Sequence, residues 1–194
     1  MHQALIKYFN SQANTPLSED DVMTIESTFI PKKLRKRQYL LQEGEVCKHT
    51  AFIVRGAMRQ YSVDDKGEEH ITRLYIENWW ATDRESLMKQ TPSTYFIDTW
   101  EDTECLLITG AAFTDLINRI PTLSEWLRNV DLNFAIAAQR RLNAAISLST
   151  EERFLDLEKS YPEFLQRFPQ HIIASYLGVN RETLSRIRTR GVKK

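Results

Sequence analysis

At Gly110 the local character of this 194-residue chain changes. Before it, Gly44, Gly56 and Gly67 separate short runs rich in β-branched and aromatic residues: QYLLQ, TAFIVR, MRQYSV and HITRLYI. A further β group, TYFIDTWEDTECLLIT, ends just short of Gly110. Such runs have strand composition, the glycines mark turns between them, and Asp65-Lys66-Gly67 suits a hairpin. Several short strands at this spacing predict a barrel or sandwich. Residues 2–9 and 18–29 have helical apolar spacing, the second opened by Ser18 with Glu19, Asp20 and Asp21 behind it as a capping signal. After Gly110 the spacing is helical, beginning with a short helix over 111–119 that Pro121 stops. The chain therefore reads as α+β.

From Pro121 to about Leu148, the apolar residues Leu123, Leu127, Val130, Phe134, Ala137, Ala144 and Leu148 recur at steps of three and four, with Arg141 at the missing step. Near-heptad spacing of this kind suits a helix–helix seam between two copies. The alternative is a stripe laid on the chain's own β domain. A helix of about 27 residues outruns a small barrel about 25 Å across, which favours the seam. Ser149-Thr150-Glu151-Glu152 then has the form of a capping box, so a new helix starts there, ending near Ser160 before Tyr161-Pro162. The units expected are a β domain at 1–120, a dimerisation helix at 121–148 and a further helical domain at 149–194.

Formal charge sums to zero, 26 Lys+Arg against 26 Asp+Glu, which taken alone argues against a nucleic-acid partner. The sum hides a gradient. Residues 1–120 hold 14 basic and 18 acidic side chains, a net of −4, and residues 121–194 hold 12 and 8, a net of +4. No stretch approaches the roughly 18 uncharged apolar residues of a membrane span, and MHQALIKYFN lacks a basic segment followed by an apolar core. A cytoplasmic location with no membrane partner is expected. Cys47 and Cys105 form no disulfide framework and no zinc spacing, so no metal is expected, although a redox pairing of the two stays open.

The most informative stretch is QHIIASYLGVNRETLSRIRT, from Gln170. Ile173, Ala174 and Leu177 make an apolar face, Gly178 permits a left-handed turn residue, and Asn180 can cap a second helix from Arg181, with Leu184 and Ile187 pointing inward. This is the pattern of a helix-turn-helix, with a small residue where the helices cross. Arg181, Glu182, Ser185 and Arg186 face outward, and Thr183, Arg188 and Thr189 flank them. Arginine can pair with guanine O6 and N7 in the major groove and glutamate can accept from cytosine N4, while Lys193 and Lys194 suit phosphate.

IIASYLGVNRETLSRIR resembles the helix-turn-helix of the Crp/Fnr superfamily, the cyclic-AMP receptor protein and its relatives, especially their short Bacteroidetes form. QEGEVCKHTAFIVRGAMRQYSVDDKGEEH is similar to the first half of that family's effector-binding β-roll, a double-stranded β-helix or jelly roll, and residues 121–148 match its dimerisation helix. The resemblance implies a homodimeric transcription regulator with no enzymatic activity, in which Arg181, Glu182 and Arg186 read bases of a palindromic, G·C-rich site. It further implies double-stranded DNA, RNA polymerase and a small-molecule effector as partners.

Two departures from the family matter. Members that bind cyclic AMP carry Gly-Glu followed about ten residues later by Arg-Ser/Thr. Here Thr82-Asp83 and Ser93-Thr94 stand at those positions, so the phosphate-neutralising arginine is missing. The pocket is expected either to hold an effector other than cyclic AMP, with Thr82, Asp83, Ser93 and Thr94 as polar lining and Gln139 as the helix position facing it, or to be vestigial. Second, only YPEFLQRFPQ separates the helix after Ser149 from Gln170, which leaves the helix-turn-helix without a full wing. Two cysteines do not suffice for a four-cysteine iron–sulfur sensor, no residue sits in a haem motif, and no cofactor is expected. The alternative function is a ligand-sensing β-roll that acts through protein contacts. Hydrolase, P-loop, HExxH and dinucleotide signatures are absent from the sequence.

Overall fold

The computed structural model describes residues 1–191. Two helices, α1 (His2–Gln12) and α2 (Glu19–Thr28), precede β1 (Ile30–Leu34), β2 (Tyr39–Leu41), β3 (His49–Arg55), β4 (Met58–Val63), β5 (Glu69–Tyr75) and β6 (Trp80–Ala81). A one-and-a-half-turn helix, α3 (Arg84–Lys89), leads to β7 (Phe96–Thr99) and β8 (Thr103–Thr109). The remainder is helical: α4 (Gly110–Arg119), α5 (Pro121–Ser147), α6 (Thr150–Ser160), α7 (Pro162–Arg167), α8 (Gln170–Tyr176) and α9 (Arg181–Gly191). The change at Gly110 is thus real. β1, β6, α3 and α7 are additions that local spacing did not indicate, and each is short or irregular in pattern.

The strands form two antiparallel four-stranded sheets, ordered β1-β8-β3-β6 and β2-β7-β4-β5. Strand alternation separates their faces. Ile53, Met58, Tyr75, Ile97 and Cys105 point into the space between the sheets. Phe52, Leu106 and Ile108 point out of the first sheet into a second core with Leu5, Phe9, Leu116, Leu123 and Trp126. Gly56 turns β3 into β4 at φ 106°, and a Cβ there would lie 2.5 Å from Thr103 Oγ1, so only glycine fits. The capping signals are realised in full: Ser18 pairs with Asp21 and Ser149 with Glu152 as reciprocal capping boxes.

The outer face of the second sheet is covered by the C-terminal helices. Tyr61, Ile71 and Leu74 share one core with Phe154, Phe164, Ile172, Ala174, Leu177 and Leu184. The ten residues read as a connection include α7, whose Phe164 is fully buried in that core. No strand follows β8 among the described residues, so the helix-turn-helix has no hairpin wing there.

Helix α5 uses part of the stripe within its own chain. The stretch from Leu123 to Val130 is turned to the chain's own core, whereas Phe134, Ala137 and Leu148 are exposed. Leu123 is buried, Leu127 and Val130 pack on the α1–α4 core, Phe134 lies under Arg73 with 4.3 Å from guanidinium to ring centroid, and Arg141 reaches Thr72 and Tyr176. At 3.6 residues per turn, Leu132, Ile136, Gln139, Asn143 and Ile146 form a separate stripe on the opposite side. Leu132 is 61% exposed and Ile146 77%. A helix this long carries two apolar faces, and beyond Val130 both remain open, with Phe134 38% and Leu148 38% exposed on one and Ile136 40% on the other. No helix among the described residues is long and apolar enough to cross a membrane.

Candidate nucleic-acid interface

Helix α8 ends at Leu177, whose amide donates to Ile173 O. Gly178 follows at φ 69°, a conformation that costs glycine nothing and a side chain about 1 kcal/mol. The Val179 amide then donates to Ala174 O at 2.9 Å. Asn180 Oδ1 accepts the Thr183 amide at 2.8 Å and so opens α9, as the sequence indicates. Leu184 is buried beneath α9 and Ile187 packs beside it. These anchors fix the rotation of the helix. They leave Arg181, Glu182, Ser185, Arg186, Arg188 and Thr189 exposed, with Thr183 half-buried at the flank. The face predicted to read bases is therefore a free polar face on a helix held from behind. Lys193 and Lys194 lie outside the described residues.

Several polar ties that local sequence does not announce hold this unit to the β domain. The Ser175 hydroxyl accepts the Ile71 amide and donates to Glu69 O, both at 2.9 Å, along the open edge of β5. The Glu69 carboxylate is held in turn by Arg59, which also binds Asp98 at 2.8 Å from beneath. Arg167, on α7, grips two carboxylates, Glu77 and Glu101, and its carbonyl accepts the Trp100 indole N–H at 3.2 Å. Burial works to raise the Glu77 carboxyl, but hydrogen bonds from Arg167 and from the Gly56 amide outweigh it and hold it below its ordinary value. Arg153 donates to Leu177 O at 2.8 Å. The ties made by Arg153, Arg167 and Ser175 span 24 to 106 residues, so no short window of sequence contains them.

Of the positions expected to line an effector pocket, Asp83 and Ser93 are brought together, Thr82 lines a cavity, and Thr94 and Gln139 are exposed. Thr82 lines a cavity of about 470 Å³ in the β domain with Cys47, Lys48 and His49. Asp83 is buried instead as the N-cap of α3, accepting the Glu85 and Ser86 amides, and it accepts the Ser93 hydroxyl at 2.7 Å. Asp83 and Ser93 thus satisfy each other. Thr94 is exposed, and Gln139 is exposed on the side of α5 away from Phe134. Two arginines outside the expected positions gather at Phe134: Arg73, and Arg84, which pairs with Asp131 at 2.8 Å. Cys47 and Cys105 are both buried free thiols, and burial pushes Cys105 up to about 11. One trio on the β4–β5 hairpin, Asp64, Glu68 and His70, has donor atoms within 4.8 Å of one another. Asp64 already accepts the Lys66 and Glu68 amides and the His70 ring, which accounts for the trio as turn structure.

Residues 31–120 match the cyclic nucleotide-binding domain family. No curated protein matches the sequence. Among solved structures, the chain is similar to the catabolite activator protein of Thermus thermophilus, at 20% identity and a TM-score of 0.56, covering 91% of this chain and 84% of that one. It is similar to the c-di-GMP-responsive global regulator CLP of Xanthomonas campestris, at 13% identity, TM-score 0.67 and coverage of 89% and 91%. A crp/fnr-family transcriptional regulator from Eubacterium rectale gives 16% identity, TM-score 0.66 and coverage of 91% and 85%.

Proposed function

The chain has the fold of the Crp/Fnr regulators, with residues 31–120 matching the cyclic nucleotide-binding domain, and from that premise we propose that it is a homodimeric regulator of transcription that reads a two-fold-symmetric DNA site with α9. The observation that carries this reading is the free face of α9. Arg181 and Glu182 lie in the first turn and Arg186 one turn beyond Glu182, all exposed, on a helix anchored by Leu184. In a major groove the two guanidinium forks suit guanine and the carboxylate suits cytosine N4, while Thr183, Ser185 and Arg188 sit where phosphate or a second base can be touched. Lys193 and Lys194 would add phosphate contacts. Regulators of this kind act on RNA polymerase and are not enzymes.

The second copy docks on the unpartnered stripe of α5. Leu132, Ile136 and Ile146 are exposed at coiled-coil steps, and the two stripes of a symmetric pair are self-complementary. Gln139 and Asn143 then meet their counterparts at the seam. The controlling small molecule is not cyclic AMP. Ser93 stands where the phosphate-neutralising arginine would be, and the ribose-binding carboxylate position, Asp83, is already tied to Ser93. Thr82, which lines the cavity with Cys47, Lys48 and His49, marks the region where another effector binds.

A selection from randomised duplex DNA tests the reading. It should return two half-sites, each with a preferred guanine that is lost in Arg186→Ala. A pool with no preferred base, or binding that does not weaken as salt rises, would instead favour a sensor that acts through protein contacts.

A further inference from the structure

Reading two half-sites at once requires the two copies of α9 to stand about one helical turn of DNA apart, roughly 34 Å. In the arrangement proposed above, α5 lies at the two-fold axis, so that distance depends on how the helix-turn-helix is held to α5, through the β domain on which it packs and through direct contacts. The chain connection is weak in this respect: Leu148 is an extended break between α5 and α6. Side chains must supply the rest.

Arg141 stands at this junction. Its Nη1 donates to Thr72 O of β5 at 2.6 Å, its Nη2 donates to Tyr176 O at the end of α8 at 3.2 Å, and its guanidinium lies 4.2 Å from the Tyr176 ring centroid. Three elements therefore meet on one planar group: the dimer helix, the edge strand and the first helix of the helix-turn-helix. Among the described residues, no other α5 side chain hydrogen-bonds to a residue of α7, α8 or α9. Arg141 projects from the side of α5 opposite Gln139 and Asn143, so it carries the position of the seam straight across the helix. From the end of α8 only Leu177, Gly178, Val179 and Asn180 intervene before α9.

Resting on the DNA-binding reading, we infer that Arg141 is a positioning residue that sets the separation of the two recognition helices, and hence the half-site spacing the protein prefers. It touches no base. A fork that donates to two carbonyls while stacking on a ring cannot be replaced by the single ammonium of lysine.

The experiment uses the full-length chain and a series of duplexes in which two selected half-sites are separated by different numbers of base pairs, with one single-half-site duplex as control. A second half-site engaged in register adds about a hundredfold to affinity, and out of register adds little. The wild type should prefer one spacing by that margin. Arg141→Ala and Arg141→Lys should both flatten the preference by about tenfold while binding the single half-site as the wild type does. Tyr176→Leu removes the stacking platform and should flatten it likewise, which covers the case in which Arg141→Ala does not fold. A sharp, unchanged preference in the folded variants, or full rescue by lysine, overturns the inference. Absence of any sequence-specific binding by the wild type would overturn the DNA-binding reading instead.

Discussion

The Ser175 hydroxyl takes the Ile71 amide at 2.9 Å from a position 104 residues further along the chain. A helix side chain thereby stands in for the missing neighbour of edge strand β5, which both blunts the edge and docks the helix-turn-helix. Ser175→Ala leaves the Ile71 N–H and the Glu69 carbonyl without their partner. We expect a loss of about 1–2 kcal/mol in urea denaturation and faster hydrogen exchange at Ile71.

Arg167 joins α7 to Glu77 and Glu101 in a half-buried setting, so Arg167→Ala should cost about 1.5–3 kcal/mol. The pH dependence follows from Glu77. Its folded carboxyl titrates below its ordinary value, so its contribution is complete above the usual carboxylate range and is lost as pH falls through the folded value. Acid denaturation followed by tryptophan fluorescence should show an acid limb that is shallower in Glu77→Gln than in the wild type.

The two faces of α5 should respond differently to substitution. Ile136→Glu places charge in the proposed seam and should convert dimer to monomer in sedimentation velocity. Phe134→Ala, on the face turned to Arg73, should leave the dimer intact. The reverse pattern would return the seam to the stripe that Leu123, Leu127 and Phe134 define.

Both thiols are free and buried. Cys105 is fully buried, with its thiol pushed up to about 11, and Cys47 is 3% exposed. Alkylation by iodoacetamide at pH 8 should label neither cysteine in the folded protein and both after denaturation. Rapid labelling of Cys47 in the native state would reopen a redox role.

What the sequence made legible is what is written locally. The β runs ending near Gly110, the boxes at Ser18 and Ser149, Gly178 in the left-handed region and Asn180 capping α9 all depend on residues within a few positions of one another. Ties such as Arg141 to Thr72 or Arg167 to Glu77 span 69 and 90 residues and leave no periodic trace. The pair expected to line a pocket shows the same limit. The hydrogen bond that joins Asp83 and Ser93 is a contact that register alone does not reveal. On α5 the apolar steps were visible, but which of them pack within the chain was not: Leu123, Leu127 and Val130 join its own core while Phe134 and Leu148 stay exposed.

The central claim is that α9 reads base pairs as one of a symmetric pair. Fluorescence anisotropy of the wild type and Arg186→Ala on a selected two-half-site duplex and on a scrambled duplex of equal length, at one fixed salt concentration, tests it most directly. The account predicts two chains per duplex, binding at least about a thousandfold tighter to the selected sequence, and a loss of about 1–3 kcal/mol in Arg186→Ala confined to that sequence. Equal affinity for both duplexes, or an equal loss on both, would contradict it.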